Sequence, residues 1–148
     1  MNNHTEKSLD RNYWEHFHHE ADIGIRGVGS NVESVFEQAA MALTAIITDP
    51  ESITPVLEKY LECSEVDLEL LFVDWLNKLI YIMVTDNMLF SGFKVNIDKG
   101  RLQAHLYGEE IDRLRHEPAV EPKGATYTEL KVQRRENGDW IGQCVIDV

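Results

Sequence analysis

The hydrophobic period of this chain changes near Asn87, from the three-four spacing of helices to the two-residue alternation of strands. A helix buries a stripe and a strand buries a face, so neither pattern can serve as the other. Helices and hairpins therefore come in blocks rather than in strict alternation. The expected class is α+β: a two-layer sandwich in which two helices pack on a mainly antiparallel sheet, one face of which stays at least partly open.

A short strand precedes the helical block. From Asp22, Ile23 and Ile25 alternate with Gly24 and Arg26, and Gly27-Val28-Gly29-Ser30 reads as the turn that leaves the strand. Ser30 and Glu33 have capping-box spacing. Val32, Val35, Phe36, Ala39, Leu43, Ile46 and Ile47 then form one helical stripe, and Pro50 marks its end. Residues 53–63 mix Ile53, Val56, Leu57, Tyr60 and Leu61 with acids and predict a strand. Ser64 can cap a second helix whose wide stripe runs through Leu68, Leu71, Phe72, Trp75, Leu76, Leu79, Ile80 and Met83, with Asp74 and Lys78 at i,i+4 spacing. Past Asn87, Phe93, Val95 and Ile97 and then Leu102, Ala104 and Leu106 alternate with polar residues across Lys99-Gly100, which is a hairpin. Two prolines and many charges make 108–122 an expected exposed connection. A last hairpin, with arms 124–135 and 139–147, turns at Asn137-Gly138.

A length of 148 residues with 43% hydrophobic content builds one core, expected over residues 12–148 behind a polar flexible tail at 1–11. The 26 acidic against 14 basic side chains give a formal charge of −12. That balance repels polyanions, so direct sequence-specific nucleic-acid binding is not expected. It suits a cation, a basic protein surface or simple dispersal. Cys63 and Cys144 lie far apart and outside any Cys-x-x-Cys pair, and read as small core residues. No segment reaches the roughly 20 apolar residues of a membrane span and the N-terminus lacks a secretory signal, so a cytoplasmic protein without membrane association is expected.

Phosphate-cradling loops, nucleophile elbows, His-Glu-x-x-His and EF-hand signatures are absent from the sequence. What remains is polar groups at strand ends. In Glu15-His16-Phe17-His18-His19-Glu20-Ala21-Asp22, three histidines and three acids, Asp22 among them, surround the start of a strand; the bland reading is a solvated segment. The chain stops at Ile146-Asp147-Val148, which supplies the Asp147 side chain and the Val148 terminal carboxylate directly after a strand. If Asp22 and Asp147 lie on neighbouring strand ends, three carboxylates converge. Each like-charge pair at about 4 Å then costs on the order of 4 kcal/mol at an effective dielectric of about 20, a cost that a bound cation removes. All-oxygen ligation points to a hard ion, calcium, magnesium or manganese, rather than zinc. Lys123, at the start of a strand past the polar loop, is either a solubilising charge or a contact for phosphate or for an acidic group on a partner.

At these residues the chain resembles the archease family over roughly residues 13–148. The matching pieces are His19-Glu20-Ala21-Asp22-Ile23-Gly24-Ile25, Phe36-Glu37-Gln38-Ala39-Ala40, the stretch from Leu70 to Tyr81, Gly108-Glu109 with His116-Glu117, Lys123-Gly124-Ala125-Thr126-Tyr127 and Ile146-Asp147-Val148. The resemblance implies a non-enzymatic protein activator of an RtcB-type RNA ligase, which promotes metal-dependent guanylylation and multiple turnover in tRNA splicing and RNA repair. It also implies that Asp22, Asp147 and Val148 hold a divalent metal, calcium before magnesium or manganese, and that Lys123, with His19 and His116, serves activation and partner contact. Three positions depart from the family pattern: Glu20 in place of threonine, Gly124 in place of alanine and Thr128 in place of histidine. Two other readings are a small metal-dependent phosphohydrolase using the same carboxylates, and a chaperone-like binding module for an RNA-modifying enzyme.

Overall fold

The computed structural model describes residues 11–148. The tail expected at 1–11 lies outside the described residues except for Arg11, which is no loose end: its guanidinium pairs with Asp139 at 2.7 Å. In chain order the elements are β1 (Tyr13–His19), β2 (Asp22–Gly29), α1 (Val32–Ile47), a 3-10 turn (Pro50–Ser52), β3 (Leu57–Ser64), α2 (Leu68–Thr85), β4 (Met88–Asp98), β5 (Arg101–Glu110), a single-turn α3 (Arg113–His116), β6 (Gly124–Ala125), β7 (Lys131–Arg134) and β8 (Trp140–Asp147). The class is α+β, as expected. The expected sheet is resolved into two antiparallel ones. The first has the order β1-β2-β8-β6, with β7 on the same edge of β8 as β6; the second has the order β3-β5-β4.

Both helices face both sheets. The α1 helix lies on β2 and β8 of the first sheet and along β4 of the second, while α2 touches β6 and β7 of one and β3 and β4 of the other. The core is correspondingly continuous: Ile25, Cys144 and Ile146 meet Leu102, Ala104 and Leu106 through Phe36, Leu43, Phe72, Trp75 and Leu76. Phe36 and Phe72 pack edge to face at 5.2 Å, and the Trp75 indole N–H donates to the Phe36 carbonyl at 3.0 Å, so the helices are locked by shape and by one satisfied polar contact. The outer edge of β4 is closed by α1: Glu37 accepts the Val95 N–H at 2.8 Å and Glu33 the Ile97 N–H at 3.4 Å. An unpaired strand edge is thereby kept from pairing with another chain.

Several local expectations are corrected. Gly27-Val28-Gly29 is strand, not turn. Glycine is needed at 27 because α1 rides directly on it, where a Cβ would stand 2.4 Å from the Val35 carbonyl oxygen. The α1 N-cap is Asn31, whose side chain accepts the Ser34 N–H at 2.8 Å, rather than Ser30. The α2 N-cap is Asp67, because Ser64 is still paired in β3. The 108–122 connection is partly built: β5 runs to Glu110, α3 follows, and His116 is buried. The first arm of the last hairpin is broken into β6 and β7 by an excursion in which Glu129 has φ 56°. The strand β1 carries polar residues on much of its length and had no clear period to announce it.

Candidate functional site

Strand alternation sorts the polar residues of the β1–β2 hairpin before any chemistry does. Ile25 and Gly27 point to α1, so Asp22, Gly24 and Arg26 point to the opposite face of the sheet. On β1, His16 stands opposite Ile25 and His18 opposite Ile23, while Phe17 stands opposite Gly24 and His19 opposite Asp22. The three histidines therefore part company. His16 and His18 share the helix side, where His16 Nε2 lies 2.8 Å from the Ala42 carbonyl oxygen, and His19 alone shares the face of Asp22. The Phe17 ring lies flat against Gly24, where a Cβ would sit 2.2 Å from it, and the Arg26 guanidinium stacks on that ring at 4.7 Å. Arg26 also bonds Glu15 and, at 2.8 Å, Gln143. This packing stiffens the hairpin up to its tip, where Glu20 adopts φ 55°, a left-handed conformation that costs a residue with a Cβ roughly 1 kcal/mol.

The same face continues across the sheet. Ile23 pairs with Ile146, so the next step in register sets Asp22 beside Asp147, and Asp147 in turn pairs with Gly124. His19, Asp22, Asp147 and Gly124 thus form one row over β1, β2, β8 and β6. Two N–H groups beside the row hold to it: the Val148 N–H lies 3.4 Å from Asp22 Oδ1, and the Lys123 N–H donates to the Asp147 carbonyl at 2.8 Å. Asp147 and Lys123 are exposed, Asp22 and Val148 half-buried. Asp22, Asp147, Val148, Lys123 and His19 are therefore brought to one end of the sheet, with His19, Asp22 and Asp147 on the same face.

The carboxylates there offer oxygen donors, the type that suits a hard divalent cation, beside the imidazole of His19. Among the described residues no three His, Cys, Asp or Glu side chains are gathered for a metal. At this end the side chains supply two carboxylates, those of Asp22 and Asp147. The two carboxylates are of the type that fits a hard divalent cation, and they are two side-chain ligands only.

His116 is placed differently from the others. Its side chain has no exposed surface, its Nδ1 accepts the Asp112 N–H at 2.8 Å and its Nε2 faces Glu109 Oε2 at 2.9 Å, which makes the Nε2–H tautomer the one that satisfies both. Glu109 also takes a bidentate grip from Arg115, at 2.9 Å on each oxygen, and the Thr54 N–H at 2.8 Å. The Arg115 hydrogen bonds, followed by the Thr54 N–H, hold the Glu109 carboxyl down at about 2. A surface contact through the His116 ring is thus not available in this conformation. His116 instead anchors the segment that leads through Ala119, bonded to the Ile47 carbonyl at 2.8 Å, to Lys123.

Two supports of the site had no assigned role in the sequence. Asn77 of α2 treats β6 as a strand partner: its Oδ1 accepts the Ala125 N–H at 2.8 Å and its Nδ2 donates to the Ala125 carbonyl at 3.3 Å. A Cβ at Gly124 would come within 3.3 Å of the same Oδ1, so an alanine there fits with a small adjustment. Glu109 and Arg115 are the other support; a polar residue at a helix position beside an apolar stripe and an acid before a charged loop were the available signals. Neither is specific.

Comparison with known proteins gives a consistent result. A family model described as the archease protein family (MTH1598/TM1083) matches residues 14–148. The chain is 39% identical to the protein archease of Pyrococcus furiosus, over 91% of this chain and 98% of that one, and 37% identical to that of Pyrococcus abyssi with the same coverage. It is 34% identical to the protein archease of Methanosarcina mazei, covering 91% of this chain and 95% of that one. The solution structure of Methanobacterium thermoautotrophicum protein 1598 superposes with a TM-score of 0.81 at 32% identity, over 91% of this chain and 98% of that one.

Proposed function

This chain belongs to the archease family, and from that footing we propose that it is a non-catalytic activator of an RtcB-type RNA ligase, promoting metal-dependent guanylylation and multiple turnover in tRNA splicing and RNA repair. The observation that supports this reading is the row across β1, β2, β8 and β6, which sets His19, Asp22 and Asp147 on one face with Lys123 bonded beside Asp147. Asp22 and Asp147, with the carboxylate of Val148, would hold a divalent cation, calcium first and magnesium or manganese next. Such an ion supplies positive charge that offsets repulsion among phosphate oxygens.

The residues themselves have distinct tasks. Lys123 presents an exposed ammonium to a phosphate or to an acidic group of the ligase, and its main chain is held to Asp147 so that cation and carboxylates stay in fixed register. His19 contributes a partner contact at the β1 end of the row. His116 acts from inside, by fixing the segment that delivers Lys123. The surplus of 12 negative charges suits docking on a basic protein surface and disfavours direct binding of RNA by this chain.

The test is to mix a stalled ligase with this protein, GTP and metal and to follow guanylylation of the ligase. Stimulation is expected, lost in Asp147→Ala. No stimulation, or full stimulation by that variant, refutes the proposal. Turnover of a phosphoester by this protein alone would favour a phosphohydrolase instead.

A further inference from the structure

Side chains from the helices cover strand edges in both sheets, and one cover differs in kind. On β4 and β7 the covers are carboxylates: Glu37 and Glu33 of α1 accept the Val95 and Ile97 N–H groups, and Glu69 of α2 accepts the Val132 N–H at 3.2 Å. A carboxylate has no proton to give back, so it blocks an edge without answering the carbonyls of the strand. Asn77 does both. Its Oδ1 accepts the Ala125 N–H at 2.8 Å and its Nδ2 donates to the Ala125 carbonyl at 3.3 Å, the double exchange that a residue in a neighbouring antiparallel strand makes.

The strand that Asn77 holds is short, and Lys123 leads into it. It consists of Gly124 and Ala125, directly after the lysine. On one side this segment is bound to β8, with the Lys123 N–H on the Asp147 carbonyl at 2.8 Å and the Thr126 N–H on the Val145 carbonyl at 3.0 Å; on the other it is bound to Asn77. So few ladder bonds make a marginal strand by themselves. Asn77 is a firm post for it. Its neighbours Trp75, Leu76, Leu79 and Ile80 are buried, and a Cβ at Gly124 would meet its Oδ1 at 3.3 Å, so β6 lies directly against the amide. A lysine ammonium swings on a four-carbon stem, and what the fold fixes is its main-chain root.

We infer that Asn77 is a positioning residue for Lys123: paired with Ala125 as a strand would be, its side-chain amide holds the root of the lysine in place beside Asp147. Its effect on the ligase rests on the proposed activator function, whereas its hold on β6 does not. A lysine rooted in this way meets a phosphate or an acidic group from a fixed direction, and a positioned group loses much of its benefit when it is misplaced by about 1 Å. Neither a carboxylate nor a hydrocarbon side chain at position 77 makes both bonds.

Amide hydrogen exchange read by NMR tests the hold on β6 without a ligase. In Asn77→Ala the Lys123 amide is expected to exchange about 5- to 10-fold faster than in wild type, the factor that one typical hydrogen bond supplies, while the amides of β5 keep their rates. An unchanged rate at Lys123 overturns the inference. If β5 speeds up as well, the variant is loosened throughout and Asn77→Asp takes its place. That change keeps an oxygen for the Ala125 N–H but sets a second one against the Ala125 carbonyl. The Lys123 rate, as a ratio to wild type at each pH, should be raised at pH 7 and return towards one near about pH 4, where the introduced carboxyl gains a proton to donate. A ratio that ignores pH overturns the inference. Guanylylation of the ligase tests the effect on activation. Asn77→Ala is expected to lower the plateau of a titration with this protein by about 10-fold, and Lys123→Ala to lower it too. The double variant should fall no further than Lys123→Ala alone, because the amide acts through that lysine. A further loss in the double variant, or a wild-type plateau in Asn77→Ala, overturns the positioning role and leaves the activator function standing. Absence of stimulation by the wild type overturns both.

Discussion

Replacing Glu109 by glutamine removes one negative charge from the grip that holds the 111–122 segment. The Glu109 side chain is 14% exposed and bears two hydrogen bonds from Arg115, one from the Thr54 N–H and one from His116. A carboxyl displaced from 4.5 to about 2 marks a ceiling of about 3.4 kcal/mol, at about 1.36 kcal/mol per pH unit. Arg115 is 45% exposed, so water screens much of that pair, and a loss of about 1–2 kcal/mol is expected. Because folding lowers this carboxyl, its stabilisation is complete above about pH 5 and drains away as pH falls from 4.5 towards 2. Urea unfolding of wild type and Glu109→Gln at pH 7, pH 4 and pH 2.5 measures it. The gap between the two proteins should be full at pH 7, reduced at pH 4 and mostly gone at pH 2.5. A gap of equal size at pH 7 and pH 2.5 would refute the reasoning, since the loss would then come from shape or neutral hydrogen bonds rather than from the carboxylate.

Gly27→Ala puts a methyl 2.4 Å from the Val35 carbonyl oxygen and 2.8 Å from the Ala39 nitrogen, so α1 must lift from the sheet. A loss of about 1–3 kcal/mol in urea unfolding is expected, and a wild-type midpoint would contradict it. Burial pushes the Cys63 and Cys144 thiols up to about 12. Iodoacetamide at pH 8 should therefore leave the native protein unmodified and add two adducts in urea, as read by intact mass; rapid native labelling would count against this packing. Glu37→Leu leaves the Val95 N–H at the β4 edge without its acceptor, for which about 1 kcal/mol of stability and some self-association on concentration are expected. Light scattering and a urea midpoint identical to wild type would show that the edge needs no cover.

Much of the architecture was legible because its signals are local. The stripes of α1 and α2 and the turns at Lys99-Gly100 and Asn137-Gly138 each depend on a few neighbouring residues, and all four stand where the sequence put them. The helix caps were not legible in the same way. Ser30 and Ser64 are acceptable cap residues, but Asn31 and Asp67 are too, and the choice went to whichever stood at the point where the preceding strand let go of its partner. The pair Gly27 and Gly29 carried an ambiguous signal, since the freedom that suits glycine to turns is indistinguishable in sequence from the lack of a Cβ that lets a helix approach.

Sequence alone determined the α+β class, the acidic character and the residue types of the site, because period, charge and donor chemistry are properties of the residues themselves. Only the tertiary structure decided which of those residues meet. Asp22 and Val148 stand 126 positions apart and come within 3.4 Å because β2 pairs with β8, a choice made by the shared core of Ile23, Ile25, Cys144 and Ile146 rather than by either polar residue. The β1–β2 pairing divided His19 from His16 and His18, which needed β1 to be known as a strand, since its polar sequence carried no clear period. Contacts far from that pairing, with Asp112 and Glu109, hold the His116 ring inside the segment that leads to Lys123.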